Sequence, residues 1–265
     1  MSLHSPPTET PTATTAPGRT DTSDTNVQTL GIDDFMLVHT SEQWIDPYFD
    51  DGVDQWEVGI YTKWDGCPDA RVGGIRITMV DTTDCANPVA ALDEISEDLF
   101  NVAKALYDEA EPGSLRSDLD EQLALPYGKI IIVDEVKLDR RLRGHGLGVF
   151  LTGMALKHLN HGTGLFALFP GPLERDDTPY EQAVERLGRA WSRIGFEPYR
   201  DGTWILDPGL VTLHRAIQDE YQRLADHSWC FTFQYNPDNT GSDIIDITTI
   251  GGPADLTLPE ANSGG

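Results

Sequence analysis

Residues 140–148 read RRLRGHGLG, with glycines at 144, 146 and 148 inside a cluster of arginines. The stretch follows an apolar run, KIIIVDEVKL (129–138), and precedes a helical pattern, VFLTGMALKHL (149–159). The near-continuous apolar first half of 129–138 reads as a strand buried on both faces. Two further apolar segments follow: GLFALFPGP (164–172), a strand stopped by proline, and YEQAVERLGRAWSRIGF (180–196), a helix with the stripe Val184, Leu187, Trp191 and Ile194. TWILD (203–207) closes the set. Strand, glycine turn, helix, strand requires the helix to pack back onto the sheet, so this half of the chain contains a parallel strand pair.

The turn is also a local reversal of sign. The chain of 265 residues carries 19 basic and 44 acidic side chains, a formal charge of −25. Lys137, Arg140, Arg141 and Arg143 put four of those 19 basic groups into seven positions, where even scatter would put about half of one. Glycine has no Cβ, so a ligand approaches its backbone closely. A helix that starts there points unpaired N–H groups and its positive dipole end at the same spot. Together these features suit a pyrophosphate. Two other readings remain open: a tight strand-to-helix turn with solvated arginines, and a dinucleotide-binding turn. The second requires G-x-G-x-x-G and an acidic residue after the next strand, whereas the pattern here is G-x-G-x-G and the next strand runs into Phe-Pro-Gly.

Upstream, FMLVH (35–39), WEVGIYTKW (56–64) and VGGIRITMVD (72–81) read as strands. PVAALDEISEDLFNVAKALYDEA (88–110) reads as one helix, with Leu92, Ile95, Leu99, Val102 and Leu106 on one face. Residues 111–128 read as a loop with a short helical turn. Downstream, LVTLHRAIQDEYQRLAD (210–226) is an amphipathic helix that either caps the domain or mediates association, a homodimer in the second case; WCFTFQY (229–235) reads as a strand. The first 30 residues, rich in Thr, Pro, Ser and Asp, and residues 251–265 have too little apolar surface to offset their ordering entropy. The expected division is therefore a tail at 1–30, a domain at 31–208, a helical C-terminal extension at 209–250 and a tail at 251–265. Cys67, Cys85 and Cys230 are odd in number and widely spaced, so neither a disulfide framework nor a zinc site is expected, and a reducing cytoplasm is. An acidic, lysine-poor surface repels nucleic acid and anionic membrane, and no apolar run approaches the ~18–20 residues of a membrane span.

Arg141-Leu142-Arg143-Gly144-His145-Gly146 satisfies R-x-x-G-x-G, and VKLDRRLRGHGLGVFL resembles the acetyl-coenzyme A loop of the GCN5-related N-acetyltransferases. AWSRIGFEPYRDGTWILD (190–207) is similar to that family's second motif, an aromatic residue on a helix followed by Gly-Phe and a strand. The resemblance covers residues 130–207. It implies a mixed, mostly antiparallel α/β (α+β) sheet of about seven strands flanked by helices. It also implies transfer of an acetyl group from acetyl-coenzyme A, as co-substrate, to an amine on a small molecule or peptide, without a metal. The match further resembles a subgroup of bacterial acetyltransferase-like proteins. A non-catalytic acyl-coenzyme A binding or regulatory module is the alternative.

By the same resemblance, the main chain at Val136 and Leu138 pairs with the pantetheine. The loop Arg141, Arg143, Gly144, His145, Gly146, Leu147 and Gly148 holds the pyrophosphate. An ammonium is no nucleophile, so a base must take its proton; Glu135, at the strand end, is the first candidate and Glu174 the second, while Glu135 and Asp134 as mere strand-flanking charges remain an open reading. The family's acid is a tyrosine four residues before the Gly-Phe glycine. Here that position is Trp191, whose indole N–H only donates a hydrogen bond, so Trp191 reads as a core or pocket wall and Tyr180, Tyr199 or water as the proton source. His158 and His161 at a helix end are a weak metal signal with no third ligand.

Overall fold

The computed structural model describes residues 25–42, 52–63, 70–123, 128–160, 164–174, 178–209, 212–235 and 242–250. Residues 1–24 and 251–265, Cys67 and His161 lie outside them. The strands are β1 (Thr25–Leu30), β2 (Phe35–Ser41), β3 (Val53–Thr62), β4 (Ala70–Asp81), β5 (Lys129–Leu138), β6 (Gly164–Leu168), β7 (Glu197–Arg200), β8 (Thr203–Leu206), β9 (Ser228–Tyr235) and β10 (Ser242–Ile250). The helices are α1 (Pro88–Ile95), α2 (Glu97–Leu106), α3 (Ser117–Asp120), α4 (Leu147–Leu159), α5 (Tyr180–Ser192) and α6 (Thr212–Leu224).

Seven strands form the main sheet in the order β2-β3-β4-β5-β6-β8-β7. Every pair in it is antiparallel except β5–β6, the pair joined by the glycine turn and α4. This is the mixed, mostly antiparallel sheet flanked by helices that the sequence predicts. Alternation along β5 sends Ile131 and Val133 to one face and Ile130 and Ile132 to the other. The first face packs against α4 (Phe150, Leu156), α6 (Leu213, Ile217) and β9 (Trp229, Phe231, Phe233). The second packs against α1 and α2 through Leu92, Leu99, Val102 and Leu106.

Three expectations change. The single helix expected over 88–110 is two. Ser96 is extended (φ −163, ψ 156), and its hydroxyl accepts from the Leu99 N–H at 3.2 Å, capping α2. The apolar stripe runs through this break because both helices present the same face to the sheet. Residues 25–30, which composition placed in the tail, form β1, paired antiparallel with β9 from Thr25↔Gln234 to Leu30↔Trp229. The 209–250 stretch, expected as a helical extension with one strand over 229–235, gives that helix and strand as α6 and β9 and adds a further strand, β10; β1, β9 and β10 make a second, three-stranded sheet. Its Trp229, Phe231, Phe233 and Ile247 are buried in the same core as α4, so it completes that core.

Candidate functional site

The site forms where β5 and β6 part. Their parallel pairing runs from Lys129↔Gly164 to Val133↔Leu168 and stops. Beyond Leu168 come Phe169-Pro-Gly-Pro, and proline has no N–H with which to continue a ladder. β5 itself continues to Leu138 against β4 alone.

A bulge decides which groups face the opening. Arg76 pairs with Glu135 and Ile77 with Val133, so Asp134 is one residue too many for β4. The extra residue shifts the alternation: Val136 and Leu138 take the α4 face, with Gly148 in side-chain contact range of both, and Glu135 and Lys137 take the opposite one. The backbone follows. The Asp139 N–H donates to the Val72 carbonyl at 2.8 Å. Hydrogen-bonded and non-hydrogen-bonded pairs alternate in an antiparallel ladder. The pairs Gly73↔Leu138 and Ile75↔Val136 are therefore non-hydrogen-bonded, and Leu138 and Val136 turn their N–H and C=O away from β4 into the gap. Leu138's carbonyl accepts from Arg143 Nε at 2.8 Å.

The gap ends at the glycine loop. Residues 140–142 make a short 3-10 turn whose N-cap Asp139 accepts from the Arg141 N–H at 3.0 Å. Gly144 (φ 90) and Gly146 (φ 83) are left-handed, and Gly146 is the N-cap of α4. The first backbone bond into α4 is Phe150 N–H to the Gly146 carbonyl at 3.1 Å. Leu147, Gly148 and Val149 therefore lie in the first turn, where N–H groups have no intrahelical partner.

The arginines of the motif are matched by carboxylates of the chain. Arg140 and Arg143 both reach Glu174, at 3.0 and 3.1 Å. Arg141 bridges Asp139 at 2.7 Å and lies 3.9 Å from Asp246 of β10. The hydrogen bond and charge of Arg143, with the charge of Arg140, hold the Glu174 carboxyl below its usual range. Glu174 thus serves the loop arginines, which a sequence reading that made it a second base did not foresee.

Two openings flank the bulge. A cavity of about 320 Å³ at the gap is lined by Asp98, Leu99, Asp134, Phe169, Leu173 and Tyr180, among others. A neighbouring groove of about 510 Å³ holds Glu57, Arg71, Arg76, Glu135 and Lys137. Glu135 lies in the groove, with one carboxylate oxygen on Arg76 at 2.6 Å and the other on Lys137. Asp134, its side chain only 6 % exposed, lines the cavity at the gap and receives Arg76 Nε. Of the two neighbours on β5, Asp134 is the one that lines the cavity at the gap. No signal in the sequence marks the bulge that exchanges the two.

Trp191 is 8 % exposed in the α4-side core, edge-on to Phe196 at 6.0 Å, which agrees with its reading as a wall. Tyr199 donates to Asp118 at 3.0 Å, and burial together with that bond raises its pKa. Tyr180, 57 % exposed, lines the cavity. The His158 ring lies 4.4 Å from that of His39 of β2, tilted by 39°; among the described residues no group of three or more His, Cys, Asp or Glu is placed to hold a metal. No described helix is long and apolar enough to cross a membrane.

Residues outside the motif also reach the loop. Arg223 of α6 donates to the His145 carbonyl at 2.7 Å, and Thr249 of β10 lies 3.3 Å from His145 Nε2. Arg193, after α5, pairs with Glu220 of α6, which also pairs with Arg223 at 2.9 Å. Both guanidinium groups occupy the space a Cβ on Gly146 would need. Their sequence positions, 45 and more residues from the loop, gave no hint of this.

No protein-family model and no curated protein matches the chain. Two solved structures are similar to it in part. One is of a mutant of KacT, 11% identical, covering 63% of this chain and 75% of that one at a TM-score of 0.33. The other is of AtaTR bound with AcCoA, 13% identical, covering 72% and 98% at a TM-score of 0.31. Similarity at this level assigns this chain no activity, and the functional reading rests on its own geometry and motifs.

Proposed function

We propose that the chain is an acyltransferase that moves an acetyl group from acetyl-coenzyme A to an amine, with its donor site in the gap between β5 and β6. The observation that carries this is the conjunction of two features along one line. Backbone groups of Val136 and Leu138 face an unpaired strand edge, and that edge ends at the glycine-capped N-terminus of α4. An extended pantetheine arm adds to the edge as a further strand would. Its diphosphate meets the first-turn N–H groups and the positive end of α4. The R-x-x-G-x-G pattern at 141–146 fits the same placement.

The thioester then lies beside the bulge. The acceptor nitrogen attacks the thioester carbonyl, the C–N bond forms, the C–S bond breaks, and the thiolate leaves. Asp134 takes the amine proton, directly or through water, and Arg76 orients it. Glu135 reaches that position only by leaving Lys137 and Arg76. Thiol release measured against a panel of amines tests this, alongside calorimetric titration of coenzyme A. Amine-stimulated release supports the enzyme. The absence of a tyrosine at position 191 and the pairing of both carboxylates with cations favour a second reading, a module that binds acyl-coenzyme A without turnover; tight binding with no release across the panel selects it.

A further inference from the structure

We infer that Arg193, Glu220 and Arg223 are positioning residues that turn the amides of the glycine loop outward and supply the positive charge its own arginines do not; this rests on the donor-site reading above. Glu220 is 5 % exposed. It accepts from Arg193 Nε at 2.8 Å and from Arg223 Nε and Nη2 at 3.2 and 2.9 Å. Burial alone raises its pKa, but the two arginines outweigh burial and hold the carboxyl below its ordinary range. The arrangement therefore fixes two guanidinium groups around one carboxylate, a surplus of one positive charge.

Arg223 Nη2 also donates to the His145 carbonyl. In a trans peptide the C=O of one residue and the N–H of the next point in opposite directions. Drawing the His145 carbonyl toward α6 therefore turns the Gly146 N–H away from α6, toward the open side of the loop. The φ of 83° at Gly146 and the guanidinium groups packed against its α-carbon make this peptide orientation available to glycine alone. Arg140 and Arg143 share Glu174, while Arg141 faces Asp139 at 2.7 Å and Asp246 at 3.9 Å, so the loop's three guanidinium groups meet three carboxylates. The surplus at the turn comes from the α5 and α6 side. This gives α6 a role at the donor site: it buttresses the segment that meets the diphosphate.

The test compares coenzyme A with pantetheine, which lacks the diphosphate, by calorimetry on the full chain and on Arg223→Met and Arg223→Lys. Arg223→Met should weaken coenzyme A by about tenfold or more and leave pantetheine, titrated at millimolar concentration, unchanged. Arg223→Lys should recover part of the loss, since it keeps a charge and a donor; it also carries the test if the methionine variant does not fold. Equal weakening of both ligands, or coenzyme A affinity unchanged in both folded variants, overturns the role of the triad. A wild-type chain that binds neither ligand overturns the donor-site reading itself.

Discussion

At the scale of single residues, the bulge at Asp134 sets apart two acidic neighbours, of which the sequence reading took Glu135 as the first candidate base. Asp134 lines the cavity at the gap and Glu135 the charged groove beside it. Asp134→Asn should lower kcat by roughly 10² with the KM for acetyl-coenzyme A nearly unchanged, while Glu135→Gln should change it by less than about tenfold. Steady-state kinetics on both decides between them, and the reverse order would return the base to Glu135. Trp191 illustrates the opposite case. Its place on the apolar stripe of α5 already read as core, and it is core. Trp191→Tyr should therefore cost stability, about 1–3 kcal/mol for the void it leaves, and bring no large rate gain. A large gain on folded protein would mean that the proton donor had been lost from this position.

At the scale of elements, the sheet was legible because strand and helix periodicities were strong from 129 to 207. The break at Ser96 was not, because it leaves the buried face continuous; yet a serine followed by two acids and an apolar run is an N-cap pattern. Ser96→Ala should cost about 1 kcal/mol, measurable by urea denaturation, and an effect near zero would show that packing alone defines the start of α2. β1 and β10 were illegible because a two-faced polar strand such as TNVQTL has no period to read, and its pairing with β9 is set some 200 residues away. The glycine loop reads differently once folded. A β-branched residue at Gly146 meets Arg193 and Arg223 as well as a disfavoured φ, so Gly146→Val is expected to lower the melting temperature, not only coenzyme A affinity. A variant with unchanged melting would contradict the packing described for the loop.

At the scale of the molecule, two terms oppose each other. A chain with a charge of −25 repels coenzyme A, which carries about four negative charges at neutral pH, while the arginines near the loop act only at short range. Salt screens the first term over a Debye length of about 10 Å at 0.1 M. The association rate should be flat or rise with salt in stopped flow; a steep fall would place attraction in control at long range. Acid stability is a second property of the whole fold. His227 is held below its ordinary value of 6.5 by burial and by the neighbouring His145 and Arg223, and His39 by burial and His158. The unfolded chain therefore binds protons that the fold does not, so stability rises with pH through the window below 6.5 and is lost as pH falls. Denaturation at pH 5.5 and 7.5 should show this difference shrink in His227→Phe; equal stability at the two pH values would remove these histidines from the account.

We propose that one continuous line, from the free edge of β5 to the first turn of α4, receives the donor. Backbone amide shifts followed during coenzyme A titration test it most directly. The largest changes are expected at Val136, Leu138 and Gly146 to Val149, with small ones along β2 and β3. Saturable binding whose shifts avoid those residues, or no binding at millimolar coenzyme A, would contradict it.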